Sequence, residues 1–255
     1  MQGAGAVPAT IGMVDGELTV GLNDAELERL AAGGADKASL WNLAALAAAG
    51  RDAGTTVAAT LHAAHRAGIE VFATGGIGGV HDHPFDESAD LAALARTPVV
   101  TVCSGPKSIL DAAATLERLE TAGVPVVGYG TDALAGFLVP TLDLPVPTRV
   151  DRPDEVAAIK RRQDDLGLTQ AVLVAQPVDE ALDPHALAAW LGEARADANA
   201  RGAHGKDATP ALLDALARRS DGATVEVNLR LLHQNAALAA RVARALAPRG
   251  TGVPA

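Results

Sequence analysis

Four short apolar runs constrain this chain more than any other feature: EVFAT (70–74), PVVTVC (98–103), VPVVGY (124–129) and QAVLVA (170–175). Each is short for a helix and lacks the apolar–polar alternation of a strand with one wet face. Helical segments separate them in the chain. Strands that are apolar on both sides need cover on both sides. The pattern therefore predicts an α/β fold, a layered α/β/α domain with a mainly parallel central sheet. Hydrophobic residues make up 49% of the 255 positions but aromatics only 2%, so the core must be built from Ala, Val, Leu and Ile.

Around these strands the reading is coarser. Residues 7–20 (VPATIGMVDGELTV) predict a hairpin about Asp15-Gly16, a dipeptide suited to the left-handed turn that joins twisted strands. A short helix runs from Asn23 to Ala32, with Asn23 as its cap. Residues 38–49, 55–67, 108–121, 152–166, 184–200, 207–218 and 229–246 read as helices. The Pro-rich stretch 138–150 reads as extended. No linker composition divides the chain, so one domain over 1–247 with a disordered tail at 248–255 is expected.

Charge and cysteine usage exclude several classes. A net charge of −10 argues against a general nucleic-acid binder, which needs a basic face. The single cysteine, Cys103, rules out an internal disulfide and suits a reducing compartment. No basic n-region precedes an apolar stretch at the start, and no apolar run reaches bilayer-spanning length. A soluble cytoplasmic protein with no membrane partner is expected.

In a parallel sheet, ligands gather outside the carboxyl ends of the strands. Those ends are the Thr74–Gly79 loop, the Cys103–Lys107 turn and the Tyr129–Asp132 loop. Three features of the sequence carry candidate chemistry. The first is Gly75-Gly76-Ile77-Gly78-Gly79, which follows Thr74. It fits either a phosphate cradle or a close-packed turn, and it matches neither the dinucleotide fingerprint nor a P-loop. The second is Ser104-Gly105-Pro106-Lys107, a turn between a strand and the next helix. Lysine is one of only four in the chain. At a helix start, the helix field and burial would both lower its pKa and favour a nucleophilic amine. A solvated lysine is the commoner occupant of such a turn. The third is the acidic loop with Asp82, Asp86, Glu87 and Asp90 around His81 and His83. Clustered carboxylates and water suit a hard divalent cation, whereas the two histidines match zinc spacings poorly. A solvated acidic loop is the plainer alternative. Cys103 reads as a buried strand residue rather than a nucleophile.

Together the blocks AVPATIG, TTVAAT, VFATGGIGGVH, FDESADL, CSGPKSILD, LETAGVPVVGYGTD, GKDATPALL and VEVNLRLLHQNAAL resemble the pseudouridine-5'-phosphate glycosidase (indigoidine synthase A-like) family over residues 5–245. The resemblance implies reversible cleavage of the carbon–carbon bond between ribose C1' and uracil C5, giving uracil and ribose 5-phosphate. Paired carboxylates act poorly on a carbon leaving group, and an imine route through a lysine offers the alternative. The resemblance makes Lys107 the nucleophile and Asn228 an active-site residue that orients the base. Asp86 becomes the holder of Mn2+, mostly through water. Lys37, Val57, Thr74, Ser88, Ala89 and Asp90 become substrate contacts. It also implies a homotrimer.

The chain departs from the family pattern in places. The family carries an N-terminal segment with a proton-donating Glu, to which no residue here corresponds. Exposed apolar surface and poor solubility are expected to follow from that. Gln176-Pro177 replaces an Asn-Pro pair, the loop between His81 and His83 is shortened, and Ala135 stands where Pro is usual. Two other readings stay open: a different imine-forming sugar-phosphate lyase or aldolase, and a non-catalytic sugar-phosphate binder.

Overall fold

The computed structural model describes residues 5–81, 85–200 and 208–247, with the backbone alone for 198–200 and 208–211. The expected hairpin opens the chain as β1 (Ile11–Val14) and β2 (Glu17–Val20). Val14 pairs with Glu17 across Asp15 and Gly16, whose φ values of 51° and 80° are both left-handed. Helix α1 (Asp24–Ala31) follows. Asn23 and Glu26 cap it reciprocally: the Asn23 side chain accepts from the Glu26 amide at 3.0 Å, and the Glu26 carboxylate from the Asn23 amide at 2.8 Å.

The next segment adds to the sequence reading. The helices expected over 38–49 and 55–67 are present as α2 (Leu43–Ala48) and α3 (Val57–Arg66), but two strands that the sequence does not mark, β3 (Asp36–Ala38) and β4 (Ala53–Thr55), flank α2. The strands are DKA and AGT, three residues each and poor in β-branched side chains, so no period marks them. Tertiary pairing makes them strands. They complete a four-stranded sheet in the order β2-β1-β4-β3, in which only the β3–β4 pair is parallel.

The main sheet is built from β5 (Val71–Ala73), β6 (Val100–Cys103), β7 (Val126–Tyr129), β10 (Thr148–Val150) and β11 (Val172–Ala175). Its order is β10-β7-β11-β6-β5 and every pairing is parallel. Helix α4 (Ala89–Leu94) and α5 (Ala112–Thr121) lie between β5 and β7 in the chain, and the hairpin β8 (Ala133–Gly136) and β9 (Val139–Pro145) precedes β10. Helices α6 (Pro153–Asp165), α7 (Pro184–Ala200), α8 (Ala208–Arg219) and α9 (Ala223–Leu246) complete the chain. The stretch expected to be extended over 138–150 is β9 and β10. Helix α9 starts six residues before the expected 229, and α5 starts four after the expected 108.

Strand alternation sorts the core into layers. Cys103, Leu173 and Ala175 pack with Val57 and Leu61 of α3, Leu91 and Leu94 of α4 and Leu119 of α5. Val100, Val102, Val172 and Val174 face the other way, onto Val156 of α6 and Leu238 and Val242 of α9. This is the α/β/α layering the sequence predicted. A further apolar cluster joins α7, α8 and α9 to Ile109, Leu110, Phe137 and Leu138. These last four follow β6 and β8, so the cluster walls the carboxyl end of the sheet. No described helix is long and apolar enough to cross a membrane.

Candidate active site

Parallel strands β5 and β6 end side by side, and the chain continues their pairing past the sheet. The Ser104 amide donates to the Gly75 carbonyl at 2.9 Å, the Ile77 amide to Gly105 at 3.1 Å, and the Lys107 amide to Ile77 at 3.1 Å. The glycine loop and the lysine turn thus brace one another. Gly105 holds φ +89°, and a Cβ there would overlap the Ala135 carbonyl oxygen of β8. Only glycine suits both constraints. The other glycines are required by space rather than by φ. A Cβ on Gly76 would lie 2.7 Å from the Phe137 ring, and one on Gly78 would lie 2.8 Å from Asp90 Oδ2. The close-packed turn is therefore part of the answer for GGIGG, although Gly75, Gly76 and Gly78 also line the cleft beside it.

That cleft has a volume of about 1390 Å3 and opens at the carboxyl ends of β5 and β6. All nine residues singled out from the sequence line it: Lys37, Val57, Thr74, Asp86, Ser88, Ala89, Asp90, Lys107 and Asn228. They come from separate parts of the chain. Lys37 sits in β3, in register with Gly54 of β4, and Val57 opens α3 immediately beyond β4. The small sheet therefore delivers one wall. Thr74 follows β5. Ser88, Ala89 and Asp90 form the start of α4, where the Ser88 hydroxyl accepts from the Asp90 amide at 3.2 Å. Asn228 lies on the solvent-facing first turns of α9, against Gly75.

Lys107 is half-buried, and its amine has no hydrogen bond or ion pair among the described residues. Burial pushes its pKa below the usual lysine value. The Asp90 carboxylate opposes that shift and the Lys37 cation adds to it. The sequence credits a helix N-terminus with part of this effect. The structure corrects it: α5 begins at Ala112 under the Asp111 cap, so Lys107 stands in the turn five residues ahead of the helix.

Asp90 is the anionic centre of the site and is buried to 4% exposure. Its two oxygens accept from the Ala58 amide of α3 and the Gly78 amide, both at 2.8 Å. It ties three segments together and leaves a negative charge near Lys107. Glu87, by contrast, is committed to Arg118 of α5, with two bonds of 2.9 and 3.0 Å. Asp86 is half-buried, and its carboxylate has no partner among the described residues. No three His, Cys, Asp or Glu side chains among those residues converge on a metal position. A single free carboxylate with room for water suits a hard cation that keeps most of its hydration shell, and not a zinc-type ligand set. Asp82 and His83 lie outside the described residues. Cys103 is fully buried, and burial pushes its thiol up to about 12, so it stays a protonated core residue.

The family model for indigoidine synthase A-like protein matches residues 1–245. The chain belongs to the indigoidine synthase A-like family. It is 60% identical over 243 residues to a pseudouridine-5'-phosphate glycosidase of Thermus thermophilus, covering 95% of this chain and 86% of that protein. Two solved structures are similar. One is the prealnumycin C-glycosynthase AlnA in complex with ribulose 5-phosphate, with a TM-score of 0.89 and 43% identity over 96% of this chain and 83% of that one. The other is an indigoidine synthase A-like protein of Thermotoga maritima, with a TM-score of 0.89 and 35% identity over 95% and 82%.

Three residues of this indigoidine synthase A-like site carried no signal that sequence reasoning used. Asn235 is fully buried in α9 and bonds to the Thr74 and Gly75 carbonyls and the Ser104 hydroxyl. Phe137, at φ 63°, packs on Gly76. Arg118 pins Glu87 at the rim. Asn235 alone had a usable mark, an amide among apolar positions Leu231, Leu238 and Val242 of one helix face. The Gly205–Asp207 part of the GKDATPALL block lies outside the described residues.

Proposed function

We propose that this chain cleaves the carbon–carbon glycosidic bond of pseudouridine 5'-phosphate reversibly, giving uracil and ribose 5-phosphate through an imine on Lys107. One observation carries the reading: a half-buried lysine amine, without a partner among the described residues and with a lowered pKa, opens into the cleft that all nine singled-out residues line. Family membership and the glycosidase relatives support the choice of a C-glycoside over other imine chemistry. The AlnA complex supports a pentose phosphate as the occupant.

The chemistry follows from the amine. Once the ribose ring opens, neutral Lys107 bonds to C1'. The nitrogen lone pair then assists departure of the base as its C5 takes a proton, and water hydrolyses the imine to free the sugar phosphate. Burial keeps a larger share of the amine neutral at working pH than solvent would. Lys37 supplies a cation for the phosphate, and Asn228 offers an amide to the edge of the base. Asp90 fixes α3, α4 and the glycine loop about the sugar. Asp86 would hold Mn2+ largely through water, and the ion would supply positive charge to the substrate's oxygens. The resemblance also carries a homotrimeric assembly, which sedimentation can decide.

Incubation with pseudouridine 5'-phosphate and Mn2+ tests the reading. Release of uracil together with ribose 5-phosphate, lost in Lys107→Arg, is the expected result. Turnover that persists in Lys107→Arg contradicts the imine. An aldehyde or ketone fragment from other sugar phosphates, with indifference to uracil, favours a lyase of another kind.

A further inference from the structure

Asn235 lies two helical turns beyond Asn228 on α9, so both project from one side of the helix. Around it that side is apolar, with Leu231, Leu238 and Val242 each fully buried. An amide buried there is costly unless its hydrogen bonds are made. Here they are made, and all to the two loops of the site. The Nδ2 group donates to the Thr74 carbonyl at 2.9 Å, the Gly75 carbonyl at 3.3 Å and the Ser104 hydroxyl at 3.0 Å. The Ser104 hydroxyl lies 3.3 Å from Asn235 Oδ1. Thr74 and Ser104 are the first residues beyond β5 and β6, and Lys107 is three residues past Ser104.

We propose that Asn235 is a positioning residue which, through Ser104 and the Thr74–Gly75 backbone, fixes the Lys107 turn against the glycine loop and sets Asn228 over it. The geometry makes this a coupling of three parts by one side chain. A Cβ on Gly75 would lie 3.2 Å from Asn228 Oδ1 and 3.0 Å from a Leu231 methyl, so α9 touches the loop at the level of Asn228 as well. The Ser104 backbone carries the constraint onward, because its carbonyl accepts from Phe137 and its amide bonds Gly75. A leucine at 235 would continue the apolar face but would free both loops from the helix. This inference rests on the amine chemistry proposed for Lys107, and its test separates the two.

Two variants, Ser104→Ala and Asn235→Leu, are compared with the wild type by thermal melting, ribose 5-phosphate calorimetry and the rate of borohydride-trapped adduct on Lys107. Ser104→Ala removes one hydroxyl and keeps the packing, so it decides the matter if Asn235→Leu fails to fold. The expected result is a lowered melt in both variants but, per folded protein, near-native sugar-phosphate affinity, with trapping slowed on the order of tenfold in Ser104→Ala and up to a hundredfold in Asn235→Leu. Trapping at the wild-type rate, or slowed only in proportion to lost binding or lost folded protein, overturns the proposal. Reductive methylation of Lys107 by formaldehyde and cyanoborohydride, followed by peptide mass mapping, needs no substrate. Should the wild type trap no sugar phosphate, the functional reading fails. A methylation rate at Lys107 altered in Ser104→Ala would still support the positioning role, and an unaltered rate would overturn it.

Discussion

Asp90→Asn changes one atom of the most constrained side chain in the site. The carboxylate now accepts two backbone N–H bonds, from Ala58 and Gly78, at 2.8 Å each and at 4% exposure. An asparagine keeps one acceptor and turns an NH2 group toward the other N–H. One bond is lost and leaves a buried donor unsatisfied, at about 1–3 kcal/mol, and the other falls from charge-assisted to neutral, at about 1 kcal/mol. Relief of the buried charge offsets part of this, but two N–H groups and the start of α3 already solvate that charge. The net loss is about 2–4 kcal/mol, or a melting point lower by roughly 5–15 °C for a domain of this size. The same substitution withdraws the carboxylate that raises the Lys107 pKa, so Lys107 should titrate lower still. Differential scanning calorimetry reads the first effect, and the pH dependence of Lys107 reductive methylation reads the second. A variant that melts at or above the wild type, with an unmoved Lys107 titration, would refute the assignment of Asp90 as both tie and counter-charge.

Other consequences can be checked separately. Lys107→Met removes a cation that the fold disfavours. The lysine binds its proton less tightly folded than unfolded, so wild-type stability rises with pH between the lowered native pKa and the ordinary 10.5. The variant should therefore melt above the wild type at neutral pH, by an amount that shrinks as the pH rises through the lowered native pKa toward 10.5 and levels off beyond it, while losing all trapping. A Gly105→Ala chain must place a side chain at φ +89° against the Ala135 carbonyl. It should lose on the order of 4 kcal/mol, visible as a lower melting point or loss of soluble protein. For Asp86→Ala, the electron paramagnetic signal of free Mn2+ should stay unreduced on adding protein, whereas the wild type should diminish it. Equal signals would move the metal elsewhere.

The α/β/α layering was readable because VLVA is apolar at every position and VTVC at all but Thr101, and such strands can only be buried on both sides. The hairpin was readable from Asp15-Gly16 alone. The small sheet was not, because β3 and β4 are three residues each and contain Asp, Lys, Ala, Gly and Thr. Nothing local distinguishes them from the Ala-rich helices nearby, and partners distant in the chain make them strands. Lys107 and its turn stand out through position, and burial, one of the two causes the sequence suggests, is what lowers its pKa. The other, a helix field, does not act as expected, because α5 starts only at Ala112. Asp90 showed its acidity in the sequence and not its two backbone bonds. Asn235 is a case of the same kind. A polar residue on an apolar helical face can be found by pattern, but its partners lie 131 to 161 residues earlier in the chain.

The central claim is that the Lys107 amine bonds to the sugar carbon. Ribose 5-phosphate incubated with the wild-type protein, reduced with borohydride and digested, decides it by peptide mass. The account predicts a reduced pentose phosphate on the peptide holding Lys107, and none on those holding Lys37 or Lys160. A folded sample whose Lys107 peptide keeps its unmodified mass, or an adduct carried only by another lysine, would contradict it.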